Sequence, residues 1–299
     1  MGILRGPGAG TRLRVSASEV REFLERHGLL ARRDLGQNFL CEPGLAERLV
    51  DEAHVAPGDS VIEVGTGQGV LTRALAARAA RVVTLEVDAG LVRALRAEAC
   101  LPENAELMHA DVLRVDLAEL AAACAPPVRV VANLPYSISA PVLRRLLDLR
   151  ECVVDWSVML QRELATRLLA GPGSRAYGSL TVLHRLTVDV GRALDLSPGC
   201  FYPPPQVRSS FLRMRPLMTP LLAVGELPRV ERVVRAAFAQ RRKTLANSLR
   251  GSKLDPAPTA ADVASALQSA GVEPRARAES LPPVQLLAVA RALTAGEGV

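Results

Sequence analysis

The feature that most constrains the fold of this chain is an alternation of short apolar runs with amphipathic segments between residues 60 and 133. The runs "SVIEV", "RVVTLEV", "AELMHADV" and "VRVVAN" have the composition of strands, and the segments between them have the periodicity of helices. Strands that alternate with helices of this length predict a parallel sheet with helices on both faces. We therefore predict an α/β fold with a doubly wound sheet. Two later runs, "RLTVDVGRALDL" and "SSFLRMR", are predicted to form an antiparallel pair at its edge.

The whole chain divides into three segments that differ in their sequence pattern. Residues 1–33 are predicted to be a basic tail and one helix, which a capping box of Ser16 and Glu19 begins. Residues 34–216 contain the alternating strands and helices and form the predicted α/β domain. After a proline-containing linker, residues 228–299 show only helical periodicity, which predicts a small all-α domain.

The segments between the predicted first helix and the first strand are less regular. "RRDLGQNFL" is predicted to be a loop, because it combines charged and polar residues with a glycine and has no periodicity. "PGLAERLVDEAH" is predicted to be a helix that begins at Pro43.

Composition excludes several classes of protein. No apolar run approaches the roughly 18 residues of a membrane span, and the N-terminal sequence lacks the apolar core of a signal peptide. The five cysteines are scattered and never spaced C-x-x-C, which predicts a reduced, cytoplasmic protein without a metal site. The net charge of +6 permits a polyanionic partner but does not require one.

Positive charge is concentrated near the start of the predicted helical domain. Eight basic residues and one acid, Glu231, occur between Arg229 and Lys253, and three of the basic residues are consecutive: Arg241, Arg242 and Lys243. A solvated helix face explains such a run as well as a phosphate-binding surface does, so the pattern alone leaves both interpretations open.

A glycine-rich turn follows the first strand of the alternating region. In "VIEVGTGQGVLT", Gly65, Gly67 and Gly69 separate a strand from a helix, where backbone can approach a ligand closely. The spacing is G-x-G-x-G, and nicotinamide and flavin sites prefer G-x-G-x-x-G. Glu63 would also repel a pyrophosphate. An acid there suits a positively charged ligand such as S-adenosyl-L-methionine, and the turn is typical of a Rossmann-like domain that binds it.

Two acidic residues are predicted to follow the next two strands. Glu86 ends "TLEVD" at the position where an acid binds ribose hydroxyls, and Asp111 in "HADV" is placed to accept a hydrogen bond from the amine of an adenine ring. Either acid alone fits an N-cap of the following helix equally well. Together with the glycine turn, they favour a bound adenosyl group.

The fourth strand ends in Asn133-Leu134-Pro135-Tyr136, a polar ending that packing does not explain. The lone pair of an exocyclic amine is delocalised into its ring, so methyl transfer requires hydrogen-bond acceptors that localise and orient it. The Asn133 side chain offers one acceptor, and a backbone carbonyl next to Pro135 offers a second. Tyr136 offers a face on which an extruded base can stack. The alternative, a simple Asn-Pro type turn, leaves the other strand ends unexplained.

These motifs together resemble the ribosomal RNA adenine N6,N6-dimethyltransferase family, whose members dimethylate two adjacent adenines near the 3′ end of small-subunit ribosomal RNA. The resemblance runs from about residue 35 to residue 291. The motifs that carry it are "LGQNFL", "VIEVGTGQGVLT", "TLEVD", "HADVL", "NLPYSIS", "MLQRELATRLLAGPGSRAYGSLTVL", "FYPPPQVRSS" and "AFAQRRKTLANSL".

The resemblance implies roles that the composition does not. Asn38 and Leu40 would close over the cofactor, and Phe201 would pack against the target base opposite Tyr136. It also implies an immature small ribosomal subunit as substrate, a monomeric enzyme, and RNA contacts through the basic helical domain. The chain departs from the common family pattern at Ser137 and at Arg208, where the family usually has an asparagine and an aspartate.

Alternatives from three classes remain at this stage. A relative that methylates large-subunit ribosomal RNA and confers antibiotic resistance would share the catalytic domain, although "QRRKTLANSL" favours the small-subunit enzyme. A non-enzymatic nucleic-acid-binding descendant would not need the cofactor residues. A small-molecule methyltransferase would leave the basic helical domain unexplained. A cytosine C5-methyltransferase would require a Pro-Cys nucleophile, which the sequence lacks.

Overall fold

A computed structural model describes residues 16–32 and 34–295, and the predicted basic tail of residues 1–15 lies outside them. The strands of the described part are β1 (Phe39–Leu40), β2 (Ser60–Val64), β3 (Arg81–Glu86), β4 (Ala105–His109), β5 (Val128–Asn133), β6 (Asp155–Gln161), β7 (Val188–Leu196), β8 (Phe201–Tyr202) and β9 (Ser209–Pro216).

The α-helices of the described part are α1 (Ala17–Arg26), α2 (Pro43–Glu52), α3 (Val70–Ala76), α4 (Ala89–Glu98), α5 (Leu117–Ala122), α6 (Ser139–Asp148), α7 (Arg162–Leu169), α8 (Ser179–Arg185), α9 (Leu227–Phe238), α10 (Leu245–Arg250), α11 (Ala260–Ser269) and α12 (Pro283–Leu293). Short 3₁₀ turns occur at Tyr136–Ile138, Pro198–Cys200, Val224–Glu226 and Ala278–Ser280. No described helix is both long and apolar enough to cross a bilayer.

The main sheet has seven strands in the order β4-β3-β2-β5-β6-β9-β7. Strands β2 to β6 are parallel, β9 pairs antiparallel with β6, and β7 pairs antiparallel with β9 at the edge. The predicted doubly wound sheet with an antiparallel edge pair is confirmed. All five residues of β2 are buried, as expected for a central parallel strand covered on both faces.

The prediction that "RRDLGQNFL" is only a loop is wrong at its last two residues. Phe39 and Leu40 form β1, which pairs antiparallel with β8. Leu40 lies opposite Phe201, and Phe39 lies opposite Tyr202. The two sides of this ribbon are buried in different apolar clusters, so burial on both sides supports a strand too short to have a recognisable period.

Local signals explain where several helices begin. Ser16 and Glu19 form the predicted capping box of α1, with the Glu19 carboxylate accepting a hydrogen bond from the Ser16 amide (2.5 Å). Pro43 is the first residue of α2, as predicted. Asp88 caps α4, and Asp116 caps α5.

The C-terminal helices share a core with the sheet. The largest buried apolar cluster contains residues of β2, β5 and β6 together with Leu227, Val234 and Leu286 from α9 and α12. The Tyr177 hydroxyl donates a hydrogen bond to the carbonyl of Leu281 across this boundary (2.9 Å). The division into segments 1–33, 34–216 and 228–299 stays a prediction, since the core is continuous between the last two.

Candidate functional site

A cleft of about 910 Å³ opens at the carboxyl ends of the parallel strands. Residues that follow β2, β3, β4 and β5 line it, and the segment of residues 35–40 covers one side. This is the edge at which doubly wound sheets bind ligands, because the strand-to-helix turns diverge there and leave a crevice.

The glycine turn forms the floor of the cleft and requires glycine for conformational reasons. Gly65 and Gly67 line the cleft with φ angles of +86° and +56°, values that L-residues with side chains rarely adopt. A Cβ atom on Gly67 would lie 3.1 Å from the Phe39 ring. The turn therefore presents bare backbone to a ligand and also allows β1 to pack closely against it.

Glu86 and Asp111 both line the cleft, and neither caps a helix. The Glu86 carboxylate accepts hydrogen bonds from the amides of Gly67 (3.0 Å) and Asp88 (2.9 Å). Its burial raises its pKa, while these two backbone bonds lower it. The Asp111 carboxylate accepts a bond from the Leu113 amide (2.9 Å). The N-cap interpretation of these two acids is wrong, because Asp88 and Asp116 perform that role.

Glu63 does not line the cleft, contrary to its prediction as a cofactor contact. Its side chain is fully buried within β2, and its Oε2 accepts a hydrogen bond from the Thr72 hydroxyl (2.6 Å). Its Oε1 has no hydrogen-bond partner among the described residues. Burial raises the pKa of this carboxyl to about 8. The reason for the difference is that Glu63 lies within the strand and not at its end, so its side chain points into the layer beneath the turn.

Asn133 lies at the end of β5, and its side-chain orientation is fixed by the covering segment. Its Nδ2 donates a hydrogen bond to the main-chain carbonyl of Asn38 (3.0 Å). Because the amide nitrogen is used in this way, the Oδ1 atom is the free acceptor of the side chain. Asn38 and Leu40 line the same cleft, and the Asn38 side chain donates to the carbonyl of Gly36 (3.1 Å).

The backbone of the tetrapeptide offers one further acceptor. The Pro135 carbonyl already accepts hydrogen bonds from the Ile138 amide (3.2 Å) and the Ser139 hydroxyl (3.1 Å). The Leu134 carbonyl accepts none from the described residues. The Leu134 side chain is buried in the core, so its contribution to the cleft is its backbone. The free backbone acceptor next to Asn133 is therefore the Leu134 carbonyl, one residue before Pro135.

The two aromatic residues that were predicted to hold a base have different environments. Tyr136 lines the cleft, half-buried, and its hydroxyl is hydrogen-bonded to that of Ser209 (2.7 Å). Phe201 is only 2% exposed and does not line the cleft. It packs in an apolar cluster with Leu40 and Phe211, because the β1–β8 register directs its side chain to that face. Phe201 therefore does not line the cleft in this conformation, and its contact with the target base stays a prediction.

Several residues of the cleft were not predicted. Val87 and Val112 directly follow the two acids and add apolar side chains to the lining of the cleft. Gln68 donates a hydrogen bond to the Val20 carbonyl of α1 (2.8 Å), and Gln37 donates to the Asp88 carboxylate (3.0 Å). The valines could have been found from their position after the acids, whereas the glutamines depend on long-range contacts that no local pattern indicates.

The basic cluster is not uniform. The Arg241 guanidinium pairs with Glu279 (2.9 Å) and donates a hydrogen bond to the Arg175 carbonyl (2.9 Å), so it links two segments of the protein. Arg242 and Lys243 are exposed, and their side chains form no ion pair with any described residue. Of the three residues predicted to bind RNA, these two are available for phosphate.

Comparison with known proteins extends over most of the chain. The family described as "Ribosomal RNA adenine dimethylase" matches residues 28–294. The chain is 40% identical to ribosomal RNA small subunit methyltransferase A of Geobacter metallireducens, over 90% of this chain and 97% of that protein. It is 41% identical to the protein of the same name from Myxococcus xanthus, over 91% and 94% of the two chains.

Two solved structures are similar across both the sheet and the C-terminal helices. A dimethyladenosine transferase from Plasmodium falciparum aligns with a TM-score of 0.70 at 22% identity, over 84% of this chain and 95% of that one. The 23S rRNA methyltransferase ErmE aligns with a TM-score of 0.61 at 27% identity, over 86% and 99%. The first similarity supports the fold alone, given its low identity.

Proposed function

This chain belongs to the ribosomal RNA adenine dimethylase family, and we propose that it dimethylates the N6 amines of two adjacent adenines in the 3′-terminal hairpin of small-subunit ribosomal RNA. Relatives named for the small subunit are 40% and 41% identical to it over nearly their whole length, whereas ErmE, named for 23S rRNA, is 27% identical. The chain is therefore an rRNA adenine methyltransferase that uses S-adenosyl-L-methionine. The small-subunit substrate is better supported than the large-subunit alternative.

The residues around the cleft fit this cofactor. Bare backbone at Gly65 and Gly67 admits a ligand that a Cβ atom would obstruct. Each Glu86 oxygen accepts one backbone hydrogen bond and keeps a lone pair for a ribose hydroxyl. The Asp111 carboxylate accepts from the Leu113 amide and pairs with exposed Arg114 (3.5 Å), and it retains lone pairs for the adenine amine beside apolar Val112. When bound, S-adenosyl-L-methionine supplies a methyl group made electrophilic by its sulfonium.

The observation that carries the proposal is the orientation of the Asn133 amide. Its Nδ2 is bonded to the Asn38 carbonyl, so Oδ1 is left to accept a hydrogen bond from the target amine. The Leu134 carbonyl is a second acceptor, free of bonds to the described residues. Two acceptors on the two amine hydrogens would localise the nitrogen lone pair and aim it into the cleft. No titratable base is needed, because the methylated ammonium is acidic enough to lose its proton to solvent.

The partners follow from the same proposal. We propose that the enzyme acts in the cytoplasm as a monomer on the immature small ribosomal subunit. Exposed Arg242 and Lys243 support phosphate contacts, which position RNA without reading its sequence. The half-buried Tyr136 supports stacking of the extruded adenine at the cleft.

The proposal is tested by transfer of labelled methyl groups to unmodified small ribosomal subunits. We expect four methyl groups per subunit with the wild-type protein. Asn133→Ala should lower the rate of transfer by roughly 100-fold or more, because the amine is no longer oriented. Its affinity for RNA should change little. Labelling restricted to large-subunit RNA would contradict the proposed substrate, and normal transfer by Asn133→Ala would contradict the proposed orientation.

A further inference from the structure

We propose that Ser209 is a positioning residue. It fixes the ring of Tyr136 at the cleft, and that ring in turn positions the target base. The inference rests on the proposed function, in which the adenine stacks on that ring. It assigns a role to a serine in the edge strand, 73 residues away in sequence from the residue that it would hold.

The hydrogen bond between the Tyr136 and Ser209 hydroxyls joins a side chain on a short turn to one held within the sheet. Tyr136 begins a three-residue 3₁₀ turn and lines the cleft. Ser209 is fully buried and begins β9, where it lies opposite Gln161 of β6 and Leu196 of β7. Strands on both sides therefore fix the backbone of Ser209. The bond of 2.7 Å between the two hydroxyls transfers that rigidity to the tyrosine.

A fixed ring plane matters for this site in particular. Tyr136 lines the cleft and Phe201 does not, so the proposed stacking uses the Tyr136 ring in this conformation. A tyrosine that is free to change its χ1 rotamer would lose side-chain entropy each time a base bound to it. The hydrogen bond to Ser209 removes that freedom before the RNA arrives, and preorganisation of this kind favours binding and correct orientation together.

The adjacent serine provides a matched control. Ser210 is also fully buried in β9, but its side chain points to the other face of the sheet and its hydroxyl donates a hydrogen bond to Asp195. Ser209→Ala and Ser210→Ala therefore make the same chemical change at the same depth in the same strand. Only the first removes the partner of Tyr136.

The experiment combines kinetics with a spectroscopic readout on the free protein. Tyr136→Phe, Ser209→Ala, the double variant and Ser210→Ala are compared in methyl transfer to small subunits and in cofactor binding. We expect each of the first two to lower kcat/KM for RNA by roughly 3- to 10-fold, the range of one lost hydrogen bond. The double variant should be no worse than either single one, and cofactor affinity should be unchanged.

The spectroscopic readout uses 3-fluorotyrosine, since the chain has three tyrosines and Tyr136→Phe assigns the relevant fluorine resonance. Ser209→Ala should shift that resonance, and Ser210→Ala should leave it in place. Multiplying losses in the double variant, or equal effects of the two serine variants, would overturn the inference. Wild-type protein that labels no small subunit would instead refute the proposed function, so the two failures are distinguishable.

Discussion

At the scale of residues, two glutamates on neighbouring strands have opposite environments. Glu86 ends β3 and accepts two backbone hydrogen bonds at the cleft, whereas Glu63 is buried within β2 with one oxygen lacking a partner among the described residues. The groups that hydrogen-bond to the Glu63 carboxyl are neutral hydroxyls, so little offsets the desolvation of its charge. Burial raises its pKa to about 8, and near neutral pH the folded protein keeps this carboxyl mainly protonated.

Glu63 should make the stability of the protein depend on pH. Below about pH 4.5 the carboxyl is protonated in both states, so burial has no ionic cost. Between pH 4.5 and 8 the unfolded chain loses the proton while the folded protein keeps it, and the free energy of unfolding falls by roughly 1.4 kcal/mol per pH unit. Above pH 8 this fall ends.

Glu63→Gln removes that dependence, since glutamine does not titrate. Urea unfolding of both proteins at pH 5, 6.5 and 8 measures it. The stability of Glu63→Gln relative to wild type should rise with pH across this range, by a few kcal/mol in total. Parallel stability curves for the two proteins would show that the carboxyl is ionised when buried.

The same two residues show which parts of the site the sequence could predict. The glycine turn, Glu86 and Asp111 follow strands whose ends the apolar pattern marks, so their convergence was predictable. Glu63 was misassigned because it lies two residues before Gly65, and its side chain points beneath the turn. A shift of one or two residues relative to a strand end decides whether a side chain contacts ligand or core.

At the scale of elements, we expect the covering segment, residues 35–40, to couple the cofactor to the reacting amine. Residues 35–40 line the cleft, and the Asn38 carbonyl orients Asn133. Gly36 has a φ of +66°, which favours glycine, and a Cβ atom there would be in van der Waals contact with Ser137 (3.4 Å) and Pro135 (3.5 Å). Relief of the backbone strain of a larger residue would therefore shift this segment where it lies against the tetrapeptide. A displacement of this segment should therefore weaken cofactor binding and catalysis together.

Gly36→Ala tests this coupling, and Gly28→Ala is its control. Gly28 has a similar φ of +62°, but a Cβ atom there would meet nothing within 4 Å. Both variants should lose about 1 kcal/mol of stability from backbone strain. Only Gly36→Ala should also lose cofactor affinity and single-turnover rate, each several-fold. Calorimetric titration with cofactor and rapid-quench methyl transfer measure the two quantities, and equal losses in both variants would contradict the coupling.

Strand length explains which elements the sequence predicted. Strands β2, β3 and β5 have five or six residues with a clear apolar pattern, and their boundaries agree with the predicted runs. β1 and β8 have two residues each and exist because they pair with each other from distant parts of the chain. No local window contains that information, so the burial of Phe201 could not be predicted either.

At the scale of the whole molecule, much of the positive charge holds the C-terminal helices in place. Arg144 of α6 pairs with Glu231 of α9, which also accepts from Arg235. Arg241 links Glu279 to the Arg175 carbonyl. The basic run that predicted an RNA-binding surface therefore contains residues with two different roles, and composition could not separate them. The ion pairs distinguish the two groups of basic residues, because a guanidinium paired with a carboxylate is less available to phosphate.

This division predicts different effects for neighbouring basic residues. Replacing both Arg242 and Lys243 with alanine should weaken RNA binding. The salt dependence of binding is the slope of log K against log salt concentration. Its magnitude should fall by about 1.5 to 2, because two phosphate contacts are lost. The thermal stability of this double variant should stay unchanged, because both side chains are exposed. Cofactor affinity should also be unaffected.

Arg241→Ala should have the opposite profile. It leaves Glu279 and the Arg175 carbonyl without their partner, so stability should fall by about 1 kcal/mol. The salt dependence of RNA binding should change less than in the double variant, because Glu279 already neutralises this guanidinium. Filter binding of small-subunit RNA across a salt series, with thermal unfolding of the same proteins, measures both properties. If Arg241→Ala reduced the slope by half as much as the double variant without loss of stability, all three residues would contact phosphate equally.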